Sequence, residues 1–176
     1  MENKIILGTA QFGLDYGINN QNGKVSDKDI NQILNYAFES GIKELDTASS
    51  YGNSEILIGG FVKKNPKKIF NINTKISSKK EPLEFQIRKS LNRLKISRIN
   101  KLLFHSIDLY FHFKNELIEF YSKNKGVLFM NIGVSVYTND EIQLLLNDEF
   151  ISIIQAPFNL FDNYFQRGEV FKKAYL

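Results

Sequence analysis

The chain has 176 residues, 43% of them hydrophobic and 24% charged, with a formal net charge of +4. That balance excludes the low-apolar, high-charge signature of disorder, and the absence of cysteine excludes disulfides, thiolate metal sites and cysteine nucleophiles. The lysines are scattered or sit in short runs such as Lys63-Lys64 and Lys79-Lys80. Solvated faces explain such runs better than a nucleic-acid-binding stripe, although a modest positive field suits an anionic cofactor.

Met1-Glu2-Asn3-Lys4 opens the chain, and the apolar run after it ends by Ala10. This is too short for a secretory signal and no segment reaches transmembrane length, so a soluble cytoplasmic protein is expected. The richness in Lys, Asn, Ile and Phe suggests an AT-rich bacterial source.

Ile5-Ile6-Leu7 reads as a first strand ending in Gly8-Thr9. Ser26 caps a helix whose apolar residues Ile30, Ile33, Leu34, Ala37 and Phe38 recur at helical spacing, and Gly41 stops it. A strand follows over Ile42 to Asp46 and a helix from Ser54 to about Lys63. Next come a strand over Ile69 to Thr74 and a helix from Leu83 to Leu94, on which Leu83, Ile87, Leu91 and Leu94 align. A strand at Ile99 to Phe104 precedes a helix around Phe113 to Lys123, beside which His112 reads as a surface or helix-packing residue. Val127 to Val134 reads as a further strand, and Thr138-Asn139-Asp140-Glu141 as a capping box for a helix ending near Leu146. Ile151 to Gln155 is the last strand candidate.

Six β segments, each leading into helical sequence, predict parallel βα units. A doubly wound sheet and a β/α barrel both satisfy the alternation. Two features favour the barrel. Asp46, Lys75, His105, Ser135 and Gln155 all fall at the C-terminal ends of strand candidates, the face on which barrels build active sites. Leu7-Gly8-Thr9-Ala10-Gln11-Phe12-Gly13 also lacks the glycine spacing of a dinucleotide-binding turn.

Asp46-Thr47-Ala48-Ser49-Ser50-Tyr51-Gly52-Asn53-Ser54-Glu55 resembles the D-T-A-x-x-Y-G-x-S-E signature of the aldo-keto reductase superfamily. Leu7-Gly8-Thr9 resembles its first-strand motif, Thr74-Lys75 its third-strand lysine and Leu103-Phe104-His105-Ser106 its fourth-strand histidine. Gly133-Val134-Ser135 and Ile154-Gln155-Ala156-Pro157-Phe158-Asn159 resemble two segments that hold the nicotinamide amide. The signature block is specific; a lone Lys or His would not be.

The resemblance implies an α/β fold, a (β/α)8 TIM barrel truncated to roughly its first six βα units, with residues 1–176 forming one incomplete barrel domain. It implies an NAD(P)H-dependent oxidoreductase that reduces an aldehyde or ketone, with NADP(H) or NAD(H) as cofactor and no metal. Tyr51 would be the acid, Lys75 would lower its pKa, Asp46 would anchor Lys75, and His105 would orient the carbonyl oxygen. Gly8, Thr9, Asp46, Ser135 and Gln155 would contact the cofactor.

The motifs run only through the sixth strand and the start of the next helix, so the resemblance also implies weak cofactor binding, or none, by this chain alone. A non-catalytic fragment or binding protein is the alternative. A Schiff-base lyase using Lys75 is a third class. Gln11 to Lys24 resembles relatives encoded near surface-polysaccharide genes, which implies a sugar-derived carbonyl. Expected partners are therefore a small carbonyl substrate, with no nucleic acid and no membrane.

Overall fold

Residues 4–174 are described by the structure, a computed structural model of the chain. Strand sequences in which one face is β-branched or aromatic alternate with amphipathic helices, and the chain winds them in strict order. β1 (Leu7–Gly8) leads through a short α1 (Ala10–Gly13) to α2 (Asp27–Glu39). β2 (Glu44–Asp46), α3 (Ser54–Lys64), β3 (Asn71–Ile76), α4 (Leu83–Leu94) and β4 (Ile99–Phe104) follow. The chain continues through α5 (Ile107–Asn124), β5 (Phe129–Ser135), α6 (Asn139–Leu145), β6 (Ile153–Gln155) and α7 (Tyr164–Ala174).

The strands form one six-stranded sheet in the order β1-β2-β3-β4-β5-β6, and every neighbouring pair is parallel. The order never reverses, which separates this sheet from the doubly wound alternative. Ile6, beside the first strand, and Ile153 and Gln155 of the last strand line one cavity of about 270 Å³ with Asp46, Asn73 and Lys101. The sheet therefore curls into the greater part of a β/α barrel.

Alternation along each strand divides the side chains. Leu45, Ile72, Ile76, Leu102, Phe104, Ile132 and Val134 face the helices and are buried in two apolar clusters. The other face lines the barrel interior. Branched aliphatic residues usually fill that interior, but here Glu44, Asn73 and Lys101 meet in it. Asn73 Nδ2 donates to Glu44 Oε1 at 2.7 Å, and Lys101 Nζ pairs with the same carboxylate oxygen.

Local signals fix several boundaries. Ser26 caps α2 by accepting from Asp29 N at 3.2 Å, and Gly41 takes a φ of 82° just beyond its end. Thr138 and Glu141 form the reciprocal capping box of α6. α4 and β4 occupy the residues that the spacing predicts. Other elements differ, and β2, β5 and β6 each begin two residues later than the sequence reading, at Glu44, Phe129 and Ile153. β3 lies two residues later than Ile69–Thr74. α5 begins at Ile107 because the Ser106 side chain accepts from Leu109 N at 3.2 Å and caps it. β1 is the short segment Leu7–Gly8, level with Leu45 and Asp46 of β2, rather than Ile5–Leu7.

The α3–α4 contact depends on one missing side chain. A Cβ on Gly59 would stand 2.0 Å from the Arg93 carbonyl oxygen, whereas a Cβ on Gly60 would meet nothing within 4 Å. Gly59→Ala is expected to destabilise the chain by about 1–3 kcal/mol despite alanine's better helix propensity. Gly60→Ala should be stabilising by up to about 1 kcal/mol. Urea unfolding of the two variants checks the contrast, and equal stabilities would contradict the packing described.

Candidate active site

Strand register carries the polar residues to successive levels of the barrel. Gly8, Asp46, Asn73, Lys101 and Asn131 stand at one level, and Lys75, Leu103, Gly133 and Ile153 at the next. One step past the Phe104–Val134 pair, His105 comes level with Ser135, which itself pairs with Gln155. Asp46, Lys75, His105, Ser135 and Gln155 thus lie toward the C-terminal mouth, with Lys75 one residue inside the end of β3.

Lys75 is the buried member. Its side chain is 3% exposed, and Nζ lies 2.5 Å from Asp46 Oδ2 and 3.2 Å from the Thr47 carbonyl. Burial lowers the lysine pKa, and the charge and hydrogen bond of Asp46 oppose that shift without cancelling it.

Tyr51 stands on the loop after β2. That loop keeps strand-like bonds to β3, with Thr47 N donating to Asn73 O at 3.0 Å and Ser49 N to Lys75 O at 3.1 Å. It then turns at Tyr51, whose N donates to Ala48 O at 3.0 Å. Gly13 at the end of α1 backs this turn so closely that a Cβ there would lie 1.8 Å from the Tyr51 carbonyl oxygen. Gly52 has a φ of 52°, and a Cβ on it would lie 2.4 Å from the Gly13 carbonyl oxygen. No side chain fits between the two backbones, so the Tyr51 loop has one seat.

The rest of the signature holds that seat. Ser54 Oγ donates to Thr9 O at 3.1 Å and lies 3.0 Å from Thr9 Oγ1, while Thr9 Oγ1 donates to the Asp46 carbonyl at 2.9 Å. Thr74 Oγ1 donates to buried Glu55 at 2.7 Å, and Arg93 bridges the same carboxylate at 3.3 Å. Thr9 is fully buried in this network. At Gly8, by contrast, an added Cβ would meet open space within 4 Å.

The Tyr51 and His105 rings meet edge to face with centroids 5.8 Å apart, and Lys75 Nζ lies 5.3 Å from the Tyr51 ring centroid. Among the described residues no hydrogen bond joins the Tyr51 hydroxyl to either neighbour. Burial, reinforced by Asp46 and then by Tyr16 and Tyr137, pushes the Tyr51 pKa up to about 12. The net shift is therefore upward, opposite in sign to the lowered pKa expected for Tyr51. The lysine charge is held at Asp46, and the carboxylate that anchors the lysine also repels a phenolate.

Burial lowers the His105 pKa, the Lys75 charge lowers it further, and Asp46 opposes. Its Nδ1 lies 2.9 Å from Ser77 Oγ and 3.3 Å from Ser50 Oγ. Ser135 and Gln155 present side chains to the mouth that have no hydrogen-bond partner among the described residues. Sequence reasoning missed Gly13, Ser50 and Ser77. The hydroxyls flanking Tyr51 and following Lys75 were the available signal for the serines; nothing local marked Gly13.

The aldo/keto reductase family model matches residues 4–174. No curated protein sequence matches the chain. Among solved structures, one described as an aldo-keto reductase from Pseudomonas aeruginosa superposes with a TM-score of 0.76 at 23% identity, covering 97% of this chain and 68% of its own. An aldo-keto reductase from Bacillus halodurans, solved in its holo form, gives 0.68 at 19% identity and covers 88% of this chain and 53% of its own. One from the silkworm Bombyx mori gives 0.64 at 21% identity, with coverages of 93% and 56%. These structural likenesses carry the fold. The family match extends through all the described residues, and the chain belongs to the aldo/keto reductase family.

Proposed function

We propose that the chain carries the catalytic apparatus for NAD(P)H-dependent reduction of an aldehyde or ketone to an alcohol. Membership of an oxidoreductase family supports the reaction class. The observation that carries the residue roles is the meeting of Tyr51, Lys75, Asp46 and His105 around one buried ion pair at the barrel mouth.

Gly8, Ser135 and Gln155 fit the nicotinamide end of such a cofactor. Gly8 leaves open space in the wall, and the Ser135 hydroxyl and Gln155 amide are unclaimed donors and acceptors of the kind a carboxamide needs. The bound cofactor would supply the hydride. Thr9 supports this wall through its bond to the Asp46 carbonyl rather than through a free hydroxyl.

Reduction leaves an alkoxide that must receive a proton. At a pKa of about 12, Tyr51 remains protonated across the physiological range. It is a weaker acid than free tyrosine, but an alkoxide is a far stronger base than a phenolate. Transfer from Tyr51 is therefore downhill. Lys75, charged and fixed by Asp46, contributes a positive potential beside the phenolate that forms. His105 is neutral near pH 7 and offers a hydrogen bond to the carbonyl oxygen as negative charge grows there.

A Schiff-base role for Lys75 is disfavoured by the same geometry. Its side chain is 3% exposed, and its nitrogen is held against Asp46 and the Thr47 carbonyl. Borohydride with a carbonyl compound should leave Lys75 unmodified by peptide mass mapping, whereas exposed lysines such as Lys63 and Lys64 can react.

Tyr51→Phe should lower NADPH-dependent reduction of an aldehyde panel by roughly 100- to 10,000-fold, the usual contribution of a general acid. Loss of NADPH absorbance is the readout. Turnover retained in that variant would exclude Tyr51 as the donor, and no turnover by the unaltered chain would favour the non-catalytic binding role. Fluorescence titration with NADPH separates that case from simple lack of the right substrate.

The neutrality of His105 has a signature in stability. The folded-state pKa lies below the unfolded value of 6.5, so the unfolded chain binds the proton first as pH falls. Stability therefore rises with pH across the window below 6.5 and is lost on acidification through it. Relative to a His105→Gln variant, the unaltered chain should lose stability as pH drops below 6.5, measured by urea midpoints. A constant difference would show that burial does not depress this histidine.

A further inference from the structure

We propose that Ser77 is a positioning residue that sets the tautomer of His105, leaving the ring proton on Nε2, where it serves as a donor at the mouth. The proposal rests on the role assigned to His105 above, but its central claim concerns the free protein.

A neutral imidazole carries its proton on either Nδ1 or Nε2, and the hydrogen bond made by one nitrogen decides the state of the other. Ser77 Oγ approaches Nδ1 at 2.9 Å. The chemistry of that contact depends on where the Ser77 hydroxyl proton goes. Two acceptors compete for it: His105 Nδ1, and the Lys75 carbonyl at 3.4 Å. That carbonyl already accepts from Ser49 N at 3.1 Å and from Ser49 Oγ at 2.9 Å. Its two lone pairs are thus engaged, and the third contact is the longest. The Ser77 proton therefore goes to Nδ1, which must be the unprotonated nitrogen.

Ser50 Oγ lies farther from Nδ1, at 3.3 Å, and Ser50 is exposed. The in-plane lone pair of Nδ1 accommodates one good donor, so Ser77 takes the contact and Ser50 is secondary. The backbone holds this arrangement. His105 N donates to Ile76 O at 2.9 Å, which keeps the residue after Ile76 beside the ring. Nε2 is then the ring nitrogen without a partner among the described residues.

The consequence is a matter of sign. With the proton on Nε2, His105 donates to a carbonyl oxygen that is gaining negative charge. With the proton on Nδ1, the same ring would present a lone pair to that oxygen and oppose the reaction. Burial makes the choice of tautomer necessary, because it disfavours the doubly protonated ring that would donate from both nitrogens.

The chain contains two histidines, so nitrogen-15 histidine labelling gives an uncrowded spectrum. His112, exposed on α5 against the Phe113 ring, is the internal reference, and His112→Gln assigns the signals. In two-bond proton–nitrogen correlation spectra of the unaltered chain above pH 7, His105 is expected as the Nε2–H tautomer. Ser77→Ala should shift it toward the Nδ1–H form, Ser77→Thr should restore it, and His112 should not change. An Nδ1–H pattern in the unaltered chain overturns the proposal whether or not any variant folds. So does an unchanged His105 pattern in Ser77→Ala. In any carbonyl reduction by the chain, Ser77→Ala should lower kcat by roughly 10-fold without a matching rise in KM, consistent with one misdirected hydrogen bond. A rise in KM alone would mean that Ser77 shapes the binding surface instead. The NMR result stands even if no substrate is turned over, so it fails or succeeds independently of the reductase reading.

Discussion

A lysine ammonium with 3% of its side chain exposed is tolerable only because a carboxylate sits 2.5 Å away, and the mouth of this barrel is organised around that requirement. Lys75 and Asp46 come from adjacent parallel strands. Their pairing therefore needs β2 and β3 in one register, and it rewards that register over a slipped one. Removal of either partner would strand a buried charge, at a cost of about 3–5 kcal/mol. The pair also determines what happens around it. Burial pushes Tyr51 up and the Asp46 carboxylate adds to that shift, while burial and the Lys75 charge keep His105 neutral.

The signature block divides between chemistry and support. Asp46 and Tyr51 face the mouth, but Thr47, Ser54 and Glu55 are buried, the Thr47 and Ser54 hydroxyls against each other and Glu55 against the Thr74 and Arg93 side chains. Ser54 and Thr9 tie the loop to β1, and Glu55 ties α3 to β3 and α4. Gly13 and Gly52 close the remaining gap by having no side chain. One short segment thus encodes both Tyr51, the proposed proton donor, and the clamp that holds its loop. The polar stripe of Glu44, Asn73 and Lys101 continues below, where a closed barrel interior is ordinarily aliphatic.

Much of this was legible in the chain. The period of Leu83, Ile87, Leu91 and Leu94 marked α4 because its apolar stripe is clean, and the run before His105 marked β4 because its ends are sharp. α5 was harder to delimit. Residues 107–112 mix apolar, acidic and aromatic side chains with no single stripe, so only the cap at Ser106 shows where the helix begins. β3 was misplaced because Ile69 and Phe70 look strand-like, yet they precede the paired segment. Lys75 looks like a strand terminus, yet lies within the strand because Asp46 neutralises it.

The sequence by itself determined the βα alternation, the family motifs and the identity of the residues at the strand ends, since each of these is a local pattern. It could not decide the direction in which Tyr51 is shifted, because burial and the charge of Asp46 act together there and both depend on packing. Nor could it place the Ser77 hydroxyl against His105, 28 residues away in the chain, or the backbone of Gly13 against that of Gly52. Those contacts arise only when neighbouring strands and loops are set side by side, and they decide which polar atoms remain free to do chemistry.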